Sequence, residues 1–141
     1  MNQKESKMQF SLFFAWVVSL SATLGSLFFS EVMSFIPCTL CWYQRIFMYP
    51  LVFILLVGIL NHDKSVFNYA FILTLVGTFF AIYHNFIHFG IIPEEASPCV
   101  MGVPCSTKYI EWLGFITIPL LSFIAFLLIL ISLIIFKRTT K

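Results

Sequence analysis

Four long apolar segments constrain this chain more than any other feature of its sequence. They cover residues of about 10–33, 41–60, 66–89 and 112–136. Each approaches or exceeds the roughly 20 residues that a helix needs to cross the hydrocarbon core of a bilayer. Apolar residues surround each segment rather than forming one stripe, as in helices that lie in lipid. Because backbone groups in lipid must be hydrogen-bonded within their own segment, we predict an all-α membrane protein: a four-helix transmembrane bundle forming one domain over residues 1–141.

The composition agrees with a membrane protein and argues against a nucleic-acid partner. Hydrophobic residues make up 60% of the chain and charged residues 10%, whereas soluble domains carry about 25% charged residues. The net charge is only +2, and no cluster of Lys and Arg lies on an otherwise soluble face. The first apolar segment is longer than the hydrophobic region of a secretion signal and lacks a convincing cleavage site. We therefore retain it as a membrane helix.

The basic residues predict the orientation in the membrane. The two terminal tails and the loop 61–65 must share one side of a four-span protein, and they contain six of the eight basic residues. These six are Lys4, Lys7, Lys64, Lys137, Arg138 and Lys141. Basic residues concentrate on the cytoplasmic side of membrane proteins. We therefore predict cytoplasmic termini, with the turn 34–39 and the loop 90–111 on the outer side.

All four cysteines fall at this predicted outer face, where disulfides form and persist. Cys38 and Cys41 begin the second helix as a Cys-x-x-Cys motif, and Cys99 and Cys105 lie in the outer loop. A bond within either pair closes a very short loop, which adds little stability and favours redox use over stapling. We expect the loop pair to be accessible to a soluble thiol partner. Structural disulfides are one alternative.

A metal site is a second alternative, because His84 and His88 lie one helical turn apart near the cysteines. The five residues between Cys99 and Cys105 do not match the spacing of a zinc knuckle. We therefore predict no metal site.

The first pair lies where a thiol ionises easily. Unpaired N–H groups and the dipole at a helix N-terminus lower the pKa of a cysteine placed there. Arg45 follows Cys41 by one turn on the same face, and an arginine within an apolar helix is costly unless it has a function. We predict that Arg45 supports a Cys41 thiolate and donates hydrogen bonds to a quinone carbonyl. Snorkelling to the headgroups is the alternative.

Three further side chains are candidates for binding a quinone. Trp42 could stack on its ring, although interfacial Trp residues are common without such a role. His84 and His88, near the outer end of the third helix, could position the quinone or supply protons. Hydrogen bonding between helices is the alternative for both histidines.

Two motifs carry a family resemblance that covers essentially the whole chain. They are Pro-Cys-Thr-Leu-Cys-Trp-Tyr-Gln-Arg at 37–45 and Pro-Cys-Val-Met-Gly-Val-Pro-Cys at 98–105. With four spans, the chain resembles the DsbB family of membrane disulfide-bond formation proteins, in the short BdbC-type form of Gram-positive bacteria. The loop cysteines are closer together than in the long members of that family. The rival vitamin-K-epoxide-reductase-like proteins have their Cys-x-x-Cys after the outer loop, whereas here it precedes the loop.

The resemblance implies a protein of the bacterial cytoplasmic membrane that passes electrons from an extracytoplasmic thioredoxin-fold thiol oxidase, DsbA- or BdbD-like, to membrane quinone. The quinone would be menaquinone or ubiquinone. Carried over by position, Cys99 would form the mixed disulfide with the partner and Cys105 would exchange with Cys38. Cys41 would face the quinone, with Arg45 as its cationic support. A non-enzymatic membrane protein whose disulfides brace a binding or transport surface remains the alternative from another class.

Overall fold

Four long helices form the protein in the computed structural model, which describes residues 2–99, 102–111 and 113–141. They are α1 (Gln3–Leu27), α2 (Thr39–Leu60), α3 (Val66–His88) and α4 (Ile118–Thr140). All four are long and apolar enough to cross a membrane. The predicted all-α, four-span fold is thereby confirmed.

The fourth helix begins later than the sequence predicted. Trp112, its predicted first residue, lies outside the described part of the chain, and α4 begins at Ile118. Leu113 and Gly114 have left-handed φ angles of 56° and 82°, which helical backbone cannot accommodate. Thr117 then caps α4, since its hydroxyl accepts a hydrogen bond from the Leu120 N–H at 3.4 Å. The outer loop is therefore longer than the predicted 90–111.

The other helices differ less from prediction. The first begins at Gln3 rather than near residue 10 and ends in a π-helical turn over Phe28–Val32. The second begins at Thr39, immediately after its cap Cys38. The third ends at His88, one residue before its predicted end. Such π-helical turns often occur beside functional sites, and this one lies at the same end of the bundle as Cys38.

Each helix packs against its two neighbours in the ring order α1, α2, α3, α4, while α2 and α4 touch only slightly across the centre. Glycines allow two of the close approaches. A Cβ added to Gly77 would overlap the ring of Phe126, and one added to Gly58 would overlap Val66. Many large apolar side chains point outward, among them Phe53 and Phe79. That arrangement suits a bundle surrounded by lipid.

The two ends of the bundle differ in chemistry. At one end, the Gln9 amide nitrogen lies 2.7 Å from His62 Nδ1 and the Lys137 ammonium lies over the Phe67 ring. This end contains the start of α1, the end of α4 and the six basic residues named above. The opposite end, which we call the cysteine end, contains all four cysteines. Which end faces the cytoplasm stays a prediction.

Candidate redox site at the cysteine end

The first cysteine pair lies at the N-terminus of α2. Cys38 caps the helix in extended conformation, and its Sγ accepts a hydrogen bond from the backbone N–H of Cys41 at 3.4 Å. The Sγ atoms of Cys38 and Cys41 are 3.1 Å apart. Cys38 is buried and Cys41 is partly exposed. Both are free thiols in this state, close enough to form a disulfide with only a small movement.

The surroundings of Cys38 favour its thiolate. The hydrogen bond shared with the Cys41 thiol holds the pKa of Cys38 well below its ordinary value. His84 and the Cys41 backbone N–H lower this pKa further, while burial opposes them. The position of Arg45, one turn after Cys41, predicts a thiolate at Cys41 instead. Cys38 is favoured because its sulfur accepts hydrogen bonds from the thiol and the backbone N–H of Cys41 and faces His84.

The second pair, Cys99 and Cys105, forms a disulfide in the outer loop, with a Cα–Cα distance of 5.7 Å. Both cysteines are buried, at 3% and 2% exposure. The expectation that this disulfide is accessible was therefore wrong for the conformation seen here. A disulfide this buried could react with another protein only after the loop opened.

Hydrogen bonds hold the outer loop in place around the disulfide. The Glu94 carboxylate accepts hydrogen bonds from the Ser106 backbone N–H at 3.3 Å and from the Ser106 hydroxyl at 2.9 Å. The Tyr83 hydroxyl donates to the Ala96 carbonyl at 3.0 Å. The Cys99 N–H donates to the Ser97 hydroxyl at 3.2 Å. These contacts connect both sides of the loop to each other and to α3.

The structure brings the two cysteine pairs together through His84. The sulfurs of Cys38 and Cys105 and a ring nitrogen of His84 all lie within 4.8 Å of one another. His84 Nε2 is 3.7 Å from Cys38 Sγ and 3.2 Å from the Cys105 carbonyl oxygen. Its Nδ1 lies 2.9 Å from the amide nitrogen of Gln44. Since that amide donates, Nδ1 accepts, and Nε2 carries the proton facing Cys38 and Cys105.

Gln44 was not singled out in the sequence, although a signal was present. It is a polar residue in an otherwise apolar helix, between Cys41 and Arg45. Such residues in membrane helices find partners on neighbouring helices. Here Gln44 is buried and fixes the orientation of the His84 ring.

A cavity of about 460 Å³ extends from the cysteines into the bundle. Its lining includes six of the predicted site residues, namely Cys38, Cys41, Arg45, His84, His88 and Cys105. Arg45 donates a hydrogen bond to the Ser26 carbonyl on α1 at 3.1 Å. Neither ring nitrogen of the buried His88 has a hydrogen-bond partner within the described residues. The cavity thus contains a cationic donor and a polar ring with unused hydrogen-bonding capacity.

Trp42 lies apart from the residues that line this cavity. Its ring is 54% exposed, and the Arg45 guanidinium carbon lies 5.2 Å from the ring centroid. The predicted stacking of Trp42 on a quinone within the cavity is therefore not the contact that the structure offers. Trp42 instead supports Arg45 from the outside by a cation–π contact.

Known proteins are similar in sequence to this chain over most of its length. The family model for disulfide bond formation protein DsbB matches residues 8–136. Disulfide bond formation protein C of Bacillus subtilis (strain 168) is 50% identical, over 89% of this chain and 91% of the relative. The probable disulfide formation protein C of Halalkalibacterium halodurans is 48% identical, over 88% and 91%. A probable disulfide formation protein of Metapseudomonas resinovorans is 40% identical, over 99% of both chains.

No solved structure matches the chain. The family match covers α2, α3, the Cys-x-x-Cys motif and the outer loop completely, and most of α1 and α4. It agrees with the resemblance carried by the two cysteine motifs. The chain therefore belongs to the DsbB family of disulfide bond formation proteins.

Proposed function

We propose that this protein is a quinone-dependent dithiol oxidase that reoxidises an extracytoplasmic thioredoxin-fold thiol oxidase, DsbA- or BdbD-like. Its family supplies the coarser role of a membrane disulfide oxidoreductase. One observation carries the proposal: the Sγ atoms of Cys38 and Cys105 lie within 4.8 Å of each other. Each belongs to a different cysteine pair, so disulfide exchange between the pairs needs only a short movement.

The proximity suggests an order of exchange. A partner thiolate attacks Cys99, which breaks the Cys99–Cys105 bond and releases Cys105 as a thiolate next to Cys38. With the first pair oxidised, the Cys105 thiolate attacks Cys38, forms a Cys38–Cys105 bond and releases the Cys41 thiolate. The second partner thiol then displaces Cys99 from the mixed disulfide. Cys99 attacks Cys105, which restores the loop disulfide and frees Cys38.

These exchanges balance without an added oxidant. The partner has lost two electrons and two protons, and the Cys38–Cys41 disulfide has become two thiols. Attack at Cys99 rather than at Cys105 is favoured because it leaves the released sulfur on the side that faces Cys38.

His84 and His88 have different roles in this proposal. His84 Nε2 directs its proton toward the Cys105 carbonyl and Cys38 Sγ, so it stabilises negative charge on the exchanging sulfurs. His84 thus has a different role from the quinone binding that its sequence position suggests. His88 keeps the quinone-binding role, because both of its buried ring nitrogens are unpaired at the cavity among the described residues.

The cavity suits a quinone, whether menaquinone or ubiquinone. About 460 Å³ of space borders Cys41, Arg45 and His88, and most of the lining is apolar, as binding sites for such rings usually are. When bound there, a quinone would supply a two-electron acceptor for the Cys38 and Cys41 thiols. Arg45 is held by the Ser26 carbonyl and by Trp42, so its guanidinium is positioned to orient a carbonyl group.

The proposal includes a location: the bacterial cytoplasmic membrane, crossed four times, with the cysteine end on the extracytoplasmic side. Support comes from the six basic residues at the opposite end. A quinone dissolves in lipid, whereas the partner is soluble. The cysteine end of the bundle can contact both the quinone in the lipid and the soluble partner.

The test is a quinone-reduction assay with purified protein in detergent, a reduced thioredoxin-fold oxidase and excess quinone. The parent should reduce quinone. Cys41→Ser should block transfer to the quinone, and Cys105→Ser, which cannot form the loop disulfide, should leave both the partner and the quinone without electron transfer. Transfer by Cys41→Ser at the parent's rate would refute the proposal.

Burial of the loop disulfide favours one competing function, a membrane protein whose disulfides only brace its outer surface. That function requires both disulfides to stay closed when the reduced partner is added. Mass spectrometry of alkylated thiols separates the two possibilities. Our proposal expects trapped thiols at Cys38 and Cys41 when the partner is added without quinone.

A further inference from the structure

Three metal-binding side chains meet at the junction of the two cysteine pairs, and a fourth, Cys41, lies beside one of them. The ligand atoms of Cys38, His84 and Cys105 lie within 4.8 Å of one another, and all three residues are buried. Cys41 Sγ is 3.1 Å from Cys38 Sγ. Three sulfurs and one imidazole nitrogen are a ligand set that zinc commonly takes in tetrahedral sites. Spacing along the chain predicts no metal site, because the loop brings Cys105 to α2 and α3 only in the folded protein.

Whether these side chains can bind a metal ion depends on the redox state of the two cysteine pairs. Metals bind thiolates, and a sulfur within a disulfide is a poor ligand. While Cys105 is bonded to Cys99, the set is incomplete. Reduction of both pairs frees the sulfurs of Cys38 and Cys105 beside His84, with the Cys41 sulfur next to Cys38. We propose that the fully reduced protein binds one thiophilic cation, such as Zn²⁺, through Cys38, Cys41, Cys105 and His84, and that the oxidised protein does not.

The observed distances are close to those that a bound ion requires. With Zn–S bonds of about 2.3 Å and Zn–N bonds of about 2.0 Å, tetrahedral geometry separates sulfur from nitrogen by roughly 3.5 Å and two sulfurs by roughly 3.8 Å. Cys38 Sγ and His84 Nε2 are already 3.7 Å apart. Cys38 and Cys41 must separate by less than an ångström from 3.1 Å. Cys41 must also turn toward His84 and Cys105, because its Sγ is not among the three ligand atoms that lie within 4.8 Å of one another. Its side chain is only partly buried.

Gln44 allows His84 to serve as a ligand. Metal binding at Nε2 requires the ring proton to move to Nδ1, which must then donate rather than accept. The Gln44 side chain lies 2.9 Å from Nδ1. Rotation of its amide by half a turn would present the carbonyl oxygen in place of the nitrogen. The same residue therefore supports His84 in both states.

Charge balance also favours the site. Binding of Zn²⁺ to three thiols and one neutral imidazole releases three protons, changes no oxidation state and leaves the centre with one negative charge. Arg45 lines the same cavity as the four ligands and offsets this charge. The bound ion would hold the sulfurs of Cys38 and Cys105 away from exchange. It would therefore stop the proposed relay in its reduced form.

This inference rests on the proposed function only in that both disulfides must be reducible, and a chemical reductant can test it without partner or quinone. Purified protein would be reduced with a phosphine, freed of reductant without oxygen, mixed with Zn²⁺ and desalted for metal analysis. We expect about one zinc per chain in the reduced protein and none in the oxidised protein. Failure of quinone reduction would leave this result unchanged, so the two proposals fail separately.

Variants identify the ligands. His84→Ala and Cys105→Ala should each weaken zinc binding at least tenfold, whereas Cys99→Ala should retain it, because Cys99 is not part of the cluster. Co²⁺ provides a second measurement on the unaltered protein, since tetrahedral thiolate coordination gives intense visible and near-ultraviolet bands. The proposal is overturned if the reduced protein binds no zinc. It is also overturned if Cys105→Ala and His84→Ala bind zinc as tightly as the parent.

Discussion

The Sγ atom of Cys38, at the N-terminus of α2, lies within 4.8 Å of the Sγ atom of Cys105 in the outer loop. A disulfide bond measures about 2.0 Å, so these sulfurs need to approach by less than about 3 Å to exchange. The short spacing between Cys99 and Cys105 therefore does not hinder contact between the pairs. The folded loop already holds Cys105 beside its proposed partner.

The two histidines should affect different half-reactions. His84→Ala removes a hydrogen-bond donor that faces the exchanging sulfurs, and hydrogen bonds to charged groups contribute about 1.5–3 kcal/mol. We expect oxidation of the partner to slow by roughly 10- to 100-fold. Stopped-flow measurement of that half-reaction without quinone would check this. His84→Gln, which keeps a donor, should recover part of the rate.

His88→Ala serves as the matched histidine variant. It should leave partner oxidation near the parent rate and raise the KM for quinone by about 2- to 10-fold, the effect of one neutral hydrogen bond. The assignment fails if His84→Ala raises only the quinone KM while His88→Ala slows only partner oxidation.

The lowered pKa of Cys38 should be visible in a pH titration. Because the thiolate is the favoured form, its ultraviolet absorbance should persist below the ordinary cysteine pKa of about 8.5 and disappear only in acid. Protein with Cys99→Ser and Cys105→Ser isolates the first pair. In that background Cys41→Ala removes the largest cause of the shift, so the pKa of Cys38 should rise. An unchanged titration in Cys41→Ala would contradict the proposed cause.

Much of the fold could be predicted because lipid leaves few options for a long apolar segment. The third helix matched to within one residue at each end. The start of α4 was misplaced because residues 113–116 contain no polar side chain, and hydropathy cannot reveal the left-handed φ angles of Leu113 and Gly114. The cap at Thr117 was the local signal for the true boundary.

The sequence predicted which residues form the site better than it predicted which of them are in contact. Cysteine spacing and the helix start identified Cys38 and Cys41 as a pair at the helix terminus. Spacing could not show that His84 turns toward Cys38 and Cys105 while His88 remains unpaired at the cavity. This difference between the two histidines depends on Gln44, which orients the ring of His84 but not that of His88. It also depends on how the loop folds back over α3, which no local pattern encodes.

Gly77 should be required for the packing of α3 against α4. A Cβ at this position would overlap the ring of the fully buried Phe126. Overpacking of a filled core costs about 1–3 kcal/mol, so Gly77→Ala should lower the thermal unfolding temperature in detergent. Gly25→Ala is the matched control, because its added Cβ would meet no atom within 4 Å. Equal unfolding temperatures for the two variants would contradict this account.

Glu94 should control how readily the buried loop disulfide opens. Its carboxylate accepts two hydrogen bonds from Ser106, one residue after Cys105. Glu94→Gln removes the charge and one acceptor, which should cost the closed loop about 1 kcal/mol and speed reduction of Cys99–Cys105 about fivefold. The rate would be measured with a small phosphine and alkylation of the released thiols. Glu95→Gln, which neutralises an exposed neighbour, should leave the rate unchanged. If both variants match the parent, the Glu94–Ser106 hydrogen bonds do not limit access to the disulfide.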